Sequence, residues 1–188
     1  EWAFRESCRL AAIWTRQNLL KGKLAVNLSA RQLQHLNLMH SIESAMAATR
    51  ASPEMIEIEL TESVVMSNPG EAIAILNELR ERGFSIAVDD FGTGYSSLSY
   101  LKRLPISGLK IDRSFVKDLP DDQDDAAIAR TILDLARSLG LYTVAEGIET
   151  AEQADYLNAL GCHIAQGYYF AKPMPAEQFE AWLKSKSS

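Results

Sequence analysis

Short apolar runs alternate with helical patterns along the whole chain, and this alternation restricts the possible folds more than any other feature. Strands are expected at residues 24–29, 55–61, 84–90, 108–112, 141–146 and 163–170. Their polar end-points, Asn27, Glu59, Asp89, Lys110, Glu146 and Gln166, lie about 28 residues apart on average, near the roughly 30 residues of a βαβ unit. The helical segments between them are well punctuated. Residues 1–20 are amphipathic. Asn68 and Pro69 open a second helix that Gly83 ends, and a short one over residues 98–103 stops before Pro105. Asp124 or Asp125 caps another, closed by Gly140. Thr150 and Gln153 form a capping box at the start of the last, closed by Gly161. Strand and helix in strict alternation mean a parallel sheet.

An open doubly wound sheet and a closed barrel both satisfy that spacing, and the polarity of the strands separates them. In the second strand Ile56, Ile58 and Leu60 form one face, while Glu57, Glu59 and Thr61 form the other. The first strand sets Leu24, Val26 and Leu28 against Ala25, Asn27 and Ser29, and the fourth sets Leu109 and Ile111 against Lys110 and Asp112. A strand in an open α/β sheet is covered by helices on both faces and reads apolar on both. One apolar and one polar face fit a TIM-type (β/α) barrel, with helices outside and a polar site at the C-terminal strand ends. Such barrels have eight strands and typically about 250 residues. Six strands in 188 residues leave a deficit of about two βα units. The chain is therefore read as one domain, residues 1–188, lacking the first two strands of the barrel, which are expected before Glu1.

The composition, 47% hydrophobic and 23% charged, is that of a folded domain. A net charge of -6 argues against duplex DNA or RNA as a partner, since such binders carry a basic face. A phosphorylated small ligand remains compatible if cations supply positive charge. Cys8 and Cys162 form no CxxC pair and read as reduced thiols, and no apolar run is of bilayer length. A cytoplasmic domain is expected, whose parent chain can still be anchored in a membrane.

In a barrel the strand ends converge on one face. The convergent set is Asn27, Glu59, Asp89, Asp90, Lys110, Glu146 and Gln166. Four carboxylates in one pocket repel each other unless cations neutralise them. Oxygen donors favour Mg²⁺, Mn²⁺ or Ca²⁺ over zinc. His35, His40 and His163 fall outside the set and read as surface or loop residues. Asp89 and Asp90 are adjacent, so both can face one site only where the strand breaks, and the segment Phe91-Gly92-Thr93-Gly94 supplies a break. Taken alone the pair would read as a solvated Asx turn; the acids at matching strand ends favour a metal site. Residues 91–98 read either as a phosphate-binding glycine loop or as a mobile loop flanking the site. Lys110 either forms a buried ion pair with Asp112 or Glu146 or orients and helps deprotonate a metal-bound water, and the two are compatible. Glu62 and Glu149 are either solvated acids at helix starts or support for the ligands three residues before them. The acids of residues 121–125 read as a solvated loop and helix cap. Tyr168, Tyr169 and Phe170 read by default as barrel packing, with base stacking as the other option.

Six stretches carry a resemblance to a known family: VNLSARQL at 26–33, IELTES at 58–63, VDDFGTGYSSLSYLKRLP at 88–105, LKIDRSFV at 109–116, VAEGIET at 144–150 and QGYYFAKPMP at 166–175. In this order they are similar to EAL-type cyclic di-GMP phosphodiesterase domains. The resemblance implies a modified TIM barrel whose first strand runs antiparallel to the rest. It implies Asn27, Glu59, Asp89 and Glu146 as metal ligands and Asp90 as the acid at the second metal or its water. It also implies Lys110 near the nucleophilic water, Gln166 beside the site, Glu62 anchoring the DFGTG loop and Glu149 as a further supporting acid. The implied reaction opens one phosphodiester bond of cyclic di-GMP to give linear pGpG. Two Mg²⁺ or Mn²⁺ ions per complete site clamp the phosphate and acidify the attacking water. Implied partners are cyclic di-GMP, a second copy of the chain through the segment from Thr93 to Leu104, which carries Tyr95, Leu98, Tyr100 and Leu101, and an upstream GGDEF or sensor domain.

One departure accompanies the resemblance. The family's Glu-Ala-Leu segment, whose glutamate is a metal ligand, is absent, as is the phosphate-contacting arginine that follows it, and the strand deficit falls where they are expected. An active hydrolase is expected of the complete domain, and activity is not assumed of this fragment alone. A cyclic di-GMP receptor that binds without cutting is the alternative. Another metal-dependent barrel, such as an enolase-type lyase, is a third reading.

Overall fold

The computed structural model of the chain describes residues 2–94 and 98–186. Glu1 and Tyr95, which the sequence assigns to the first helix and to the dimer segment, lie outside them. In chain order the elements are α1 (Trp2–Arg16), β1 (Leu24–Asn27), α2 (Ala30–Leu33), α3 (Leu38–Thr49), β2 (Ile56–Thr61), α4 (Glu62–Ser67), α5 (Pro69–Glu81) and β3 (Ser85–Phe91). They continue with α6 (Leu98–Leu101), β4 (Gly108–Ile111), α7 (Gln123–Leu139), β5 (Tyr142–Ala145), α8 (Ala151–Ala159), β6 (Ile164–Ala165) and α9 (Ala176–Lys186). Within each of the two units described below, neighbouring strands follow chain order. This is the α/β alternation that the hydrophobic pattern predicts.

The chain divides into two compact units. The first comprises residues 1–59, 77–85 and 173–188. Here β1 and β2 pair in parallel, with Val26 opposite Ile58 and Asn27 opposite Glu59. The buried face of α1, formed by Cys8, Ala11, Ala12 and Trp14, packs on α3 and β1. The Trp14 ring meets Phe179 of α9 at 5.3 Å between centroids, and Phe179 stacks on Trp182. A cavity of about 680 Å³ opens in this unit, lined by Phe4, Val26, Leu28, Leu38, Ile42 and Ile58 among others.

The second unit comprises residues 60–76 and 86–172. Strands β3, β4, β5 and β6 pair in parallel in that order. Helix α7 covers β4 and β5 through Ala129, Ile132, Leu133 and Ala136. Each fully buried Ile or Leu contributes roughly 1.5–3 kcal/mol.

Three local expectations are corrected. Helix α7 is capped by Asp122, whose carboxylate accepts the amides of Asp124 and Asp125, rather than by Asp124 or Asp125 themselves. Strand β6 is two residues long instead of running to Phe170. The chain leaves it at Gln166 because Ile148 donates its amide to the Gln166 carbonyl and Tyr169 donates its own to the Ile148 carbonyl. Tyr168, Tyr169 and Phe170 are consequently about half exposed rather than packed inside.

Candidate metal centre

The bend that joins the two adjacent aspartates lies within β3 itself. Register against β4 shifts between Val88 and Phe91, and Asp90 takes a left-handed φ of 54°. The extra residue of such a bulge re-aims a side chain. Asp89 and Asp90, which a regular strand would point to opposite faces, thereby turn to the same side. With Glu146, the first residue after β5, their carboxylate oxygens lie within 4.8 Å of one another. All donors are hard oxygens, which suits a divalent cation of the Mg²⁺, Mn²⁺ or Ca²⁺ type.

Lys110 of β4 stands among these acids. Its Nζ is 2.7 Å from Glu146 Oε1 and 3.1 Å from Asp89 Oδ1, and the lysine is buried. It pairs with Glu146 and Asp89. Burial pushes the Glu146 carboxyl above the usual range; Lys110 pulls it down, and the charges of Asp89 and Asp90 raise it further. Asp90 is likewise raised, first by burial and then by Asp89 and Asp112. Acids held above their ordinary values by burial and, to a lesser degree, by one another are what a bound cation would relieve, so the donor set fits the metal that its chemistry implies.

Sequence reasoning did not assign Asp112 a role in the site. Strand β4 stops at Ile111, and Asp112 caps a 3-10 turn by accepting the Ser114 amide at 2.8 Å. Burial acts to raise Asp112, but the hydrogen bonds from Ser114, together with the neighbouring Asp90, outweigh it and hold the group below the usual range. The available signal was an acid two residues before a serine at a strand end, an Asx-type cap.

The surrounding residues are anchored individually. Glu62, at the start of α4, is buried and accepts the Gly92 amide at 2.9 Å through Oε2. Arg113 pairs with Glu149 at 2.6 Å. Gln166 donates its backbone N–H to the Ala145 carbonyl at 2.8 Å, one residue from Glu146. Asn27 and Glu59 belong to the first unit, where they are neighbours in register; Glu59 is buried and Asn27 is exposed and lines the cavity there. Among the described residues the three-acid group consists of Asp89, Asp90 and Glu146 and does not include Glu59. His163 is apart from it, its Nδ1 lying 2.9 Å from Thr143 Oγ1.

Comparison with known proteins accords with this geometry. Residues 1–173 match the EAL domain. The chain is 46% identical over 181 residues to the bifunctional diguanylate cyclase/cyclic di-GMP phosphodiesterase MucR of Pseudomonas aeruginosa, covering 96% of this chain and 26% of that protein. It thus spans about a quarter of the length of the curated relatives it matches. The structure of the PaMucR phosphodiesterase in complex with c-di-GMP superposes with a TM-score of 0.91 at 46% identity, covering 95% of this chain and 72% of that one. Klebsiella pneumoniae BlrP1, in its manganese and cyclic di-GMP complex, gives a TM-score of 0.79 at 30% identity over 92% of this chain and 44% of that one. The TIM-type fold inferred from strand polarity is the fold of these relatives. On sequence and structure together, the chain belongs to the EAL domain family.

Proposed function

We propose that this domain hydrolyses cyclic di-GMP to linear pGpG in a reaction that needs divalent cations. The observation carrying this reading is the group formed by Asp89, Asp90 and Glu146, with Lys110 bonded to two of its members. Named relatives that act on or bind the same dinucleotide support the choice of substrate. Mg²⁺ and Mn²⁺ are the proposed cations, two in a complete site; the BlrP1 manganese complex supports the metal class.

When bound, the cations supply positive charge to the phosphate and acidify water. The chain's own groups do the rest. Asp89, Asp90 and Glu146 would hold the cations. Lys110 Nζ donates to Asp89 and Glu146 and so ties the two carboxylates to one cation. Glu62 fixes the loop after β3 through the Gly92 amide. Water adds its oxygen to phosphorus, the bond from phosphorus to the 3′ oxygen breaks, and a proton ends on that oxygen. A net charge of -6 suits a site in which cations, rather than Lys and Arg, meet an anionic substrate.

The proposal extends to setting. Leu98 and Tyr100 are exposed on α6 beside buried Leu101, which supports self-association through this segment. The bifunctional name of MucR supports a GGDEF or sensor domain in the parent chain. No helix among the described residues is long and apolar enough to cross a membrane; a cytoplasmic location is part of the proposal.

The test is hydrolysis of cyclic di-GMP by the full chain with Mn²⁺ or Mg²⁺, followed by separation of products. Formation of pGpG that chelator abolishes is expected. Tight binding of cyclic di-GMP without turnover would instead establish the receptor reading.

A further inference from the structure

We propose that Gln153 is a positioning residue for Glu146 and that Arg113 is its partner; this rests on the functional reading above. Glu146 begins an irregular segment, residues 146–150, between β5 and α8. A ligand on such a segment is only as well placed as the backbone that carries it, and a metal site tolerates errors of about 0.5 Å or less. Two side chains bind this segment to residues 112–117, which directly follow the strand carrying Lys110.

Gln153 is buried. Its Oε1 accepts the amide of Thr150 at 3.1 Å, which completes the capping box of α8. Helix capping needs no more than that. The same Oε1 also accepts the Glu149 amide at 2.7 Å, and Nε2 donates to the Lys117 carbonyl at 2.8 Å. These two bonds tie the helix start to the loop and to the turn after β4.

Arg113 acts from the other side. Its Nη2 meets Glu149 Oε1 at 2.6 Å. Its aliphatic stem lies on Gly147, where a Cβ would stand 2.2 Å from Arg113 Cγ. Gly147 has φ +71°, so it admits both the turn and the contact. Glu146 donates its own amide to the Ile111 carbonyl at 3.1 Å. The loop is thus fastened to the β4 corner at Glu146, Gly147 and Glu149, with Lys110 on the same strand reaching Glu146 directly.

Three variants of the full chain test this: Gln153→Leu, Gln153→Glu and Arg113→Ala. Glutamate keeps the acceptor for the cap but loses the donor to Lys117, so it separates helix capping from loop positioning. Mn²⁺ binding is measured by calorimetry without substrate, amide exchange at Glu149 and Thr150 in metal-free protein, and Mn²⁺ dependence of hydrolysis. The expected result is Mn²⁺ binding weakened about ten-fold or more in Gln153→Leu, and by a smaller factor in the other two, with faster exchange at both amides. Mn²⁺ binding within two-fold of wild type in folded variants overturns the inference while leaving the functional reading intact. If Gln153→Leu does not fold, the same criterion applies to Gln153→Glu and Arg113→Ala. If wild type neither binds Mn²⁺ nor hydrolyses the substrate, the functional reading falls. Amide exchange then judges the positioning alone, with acceleration supporting it and no change overturning it.

Discussion

Glu62 and Gly94 are so close that a single methyl group would not fit between them. A Cβ on Gly94 would stand 2.9 Å from Glu62 Oε1. That oxygen is buried and has no hydrogen-bond partner among the described residues, while Oε2 takes the Gly92 amide. The loop after β3 is therefore held by one carboxylate at two glycines. Gly94→Ala should displace the carboxylate and loosen the loop, lowering hydrolysis while the rest of the domain stays folded. Glu62→Ala should leave the Gly92 amide unpaired and cost about 1–3 kcal/mol. Urea unfolding and limited proteolysis at residues 91–94 would register both; unchanged proteolysis would refute the anchoring.

Lys110→Met should leave buried acids without their cation. Removing one partner of a buried pair costs about 3–5 kcal/mol, and both Asp89 and Glu146 lose theirs here. Added Mn²⁺ should recover much of the lost stability. Urea midpoints with and without Mn²⁺ give the comparison, and a variant as stable as wild type in chelator would contradict the assignment.

Asp89→Asn should leave the fold intact and abolish metal-dependent hydrolysis. The expected loss exceeds the roughly 10–100-fold typical of a residue that only supports a ligand, since Asp89 belongs to the three-acid group itself. Turnover at the wild-type rate would remove Asp89 from the site.

Cys8 is fully buried, and burial pushes its thiol from the ordinary 9.0 up to about 11. The folded state holds the proton more tightly than the unfolded one. Its contribution to stability is therefore complete below pH 9.0 and is lost as pH rises from there towards about 11. Cys8→Ala should flatten stability over that window. In native protein a thiol reagent should modify the partly exposed Cys162 first, with Cys8 reacting only on unfolding. Equal rates would show that α1 opens freely.

The strands and the placement of the acids were legible because alternation of side chains is a property of the pleat, and Ile56, Ile58 and Leu60 obey it. What alternation cannot register is where a strand stops obeying it. Asp112 stands two residues from Lys110, so the period predicts a shared face; β4 ends at Ile111, and Asp112 caps the following turn at Ser114. The break at the Asp89-Asp90 pair was expected in the glycines that follow, yet it occurs one residue earlier as a bulge. Gln153 was legible as half of a capping box. Its bond to the Lys117 carbonyl joins residues 36 apart in sequence and left no local trace.

The left-handed backbone at Asp90 sets folding against chemistry at one position. A residue with a Cβ pays about 1–2 kcal/mol there that glycine would not, although aspartate tolerates it better than most. Asp90→Gly would relieve that strain and the crowding of like charges together, so a selection for heat resistance alone would drift towards it. The same change would delete a carboxylate from the proposed cation site. Thermal tolerance and turnover should therefore trade against each other at this residue, and engineering for robustness has to exempt it.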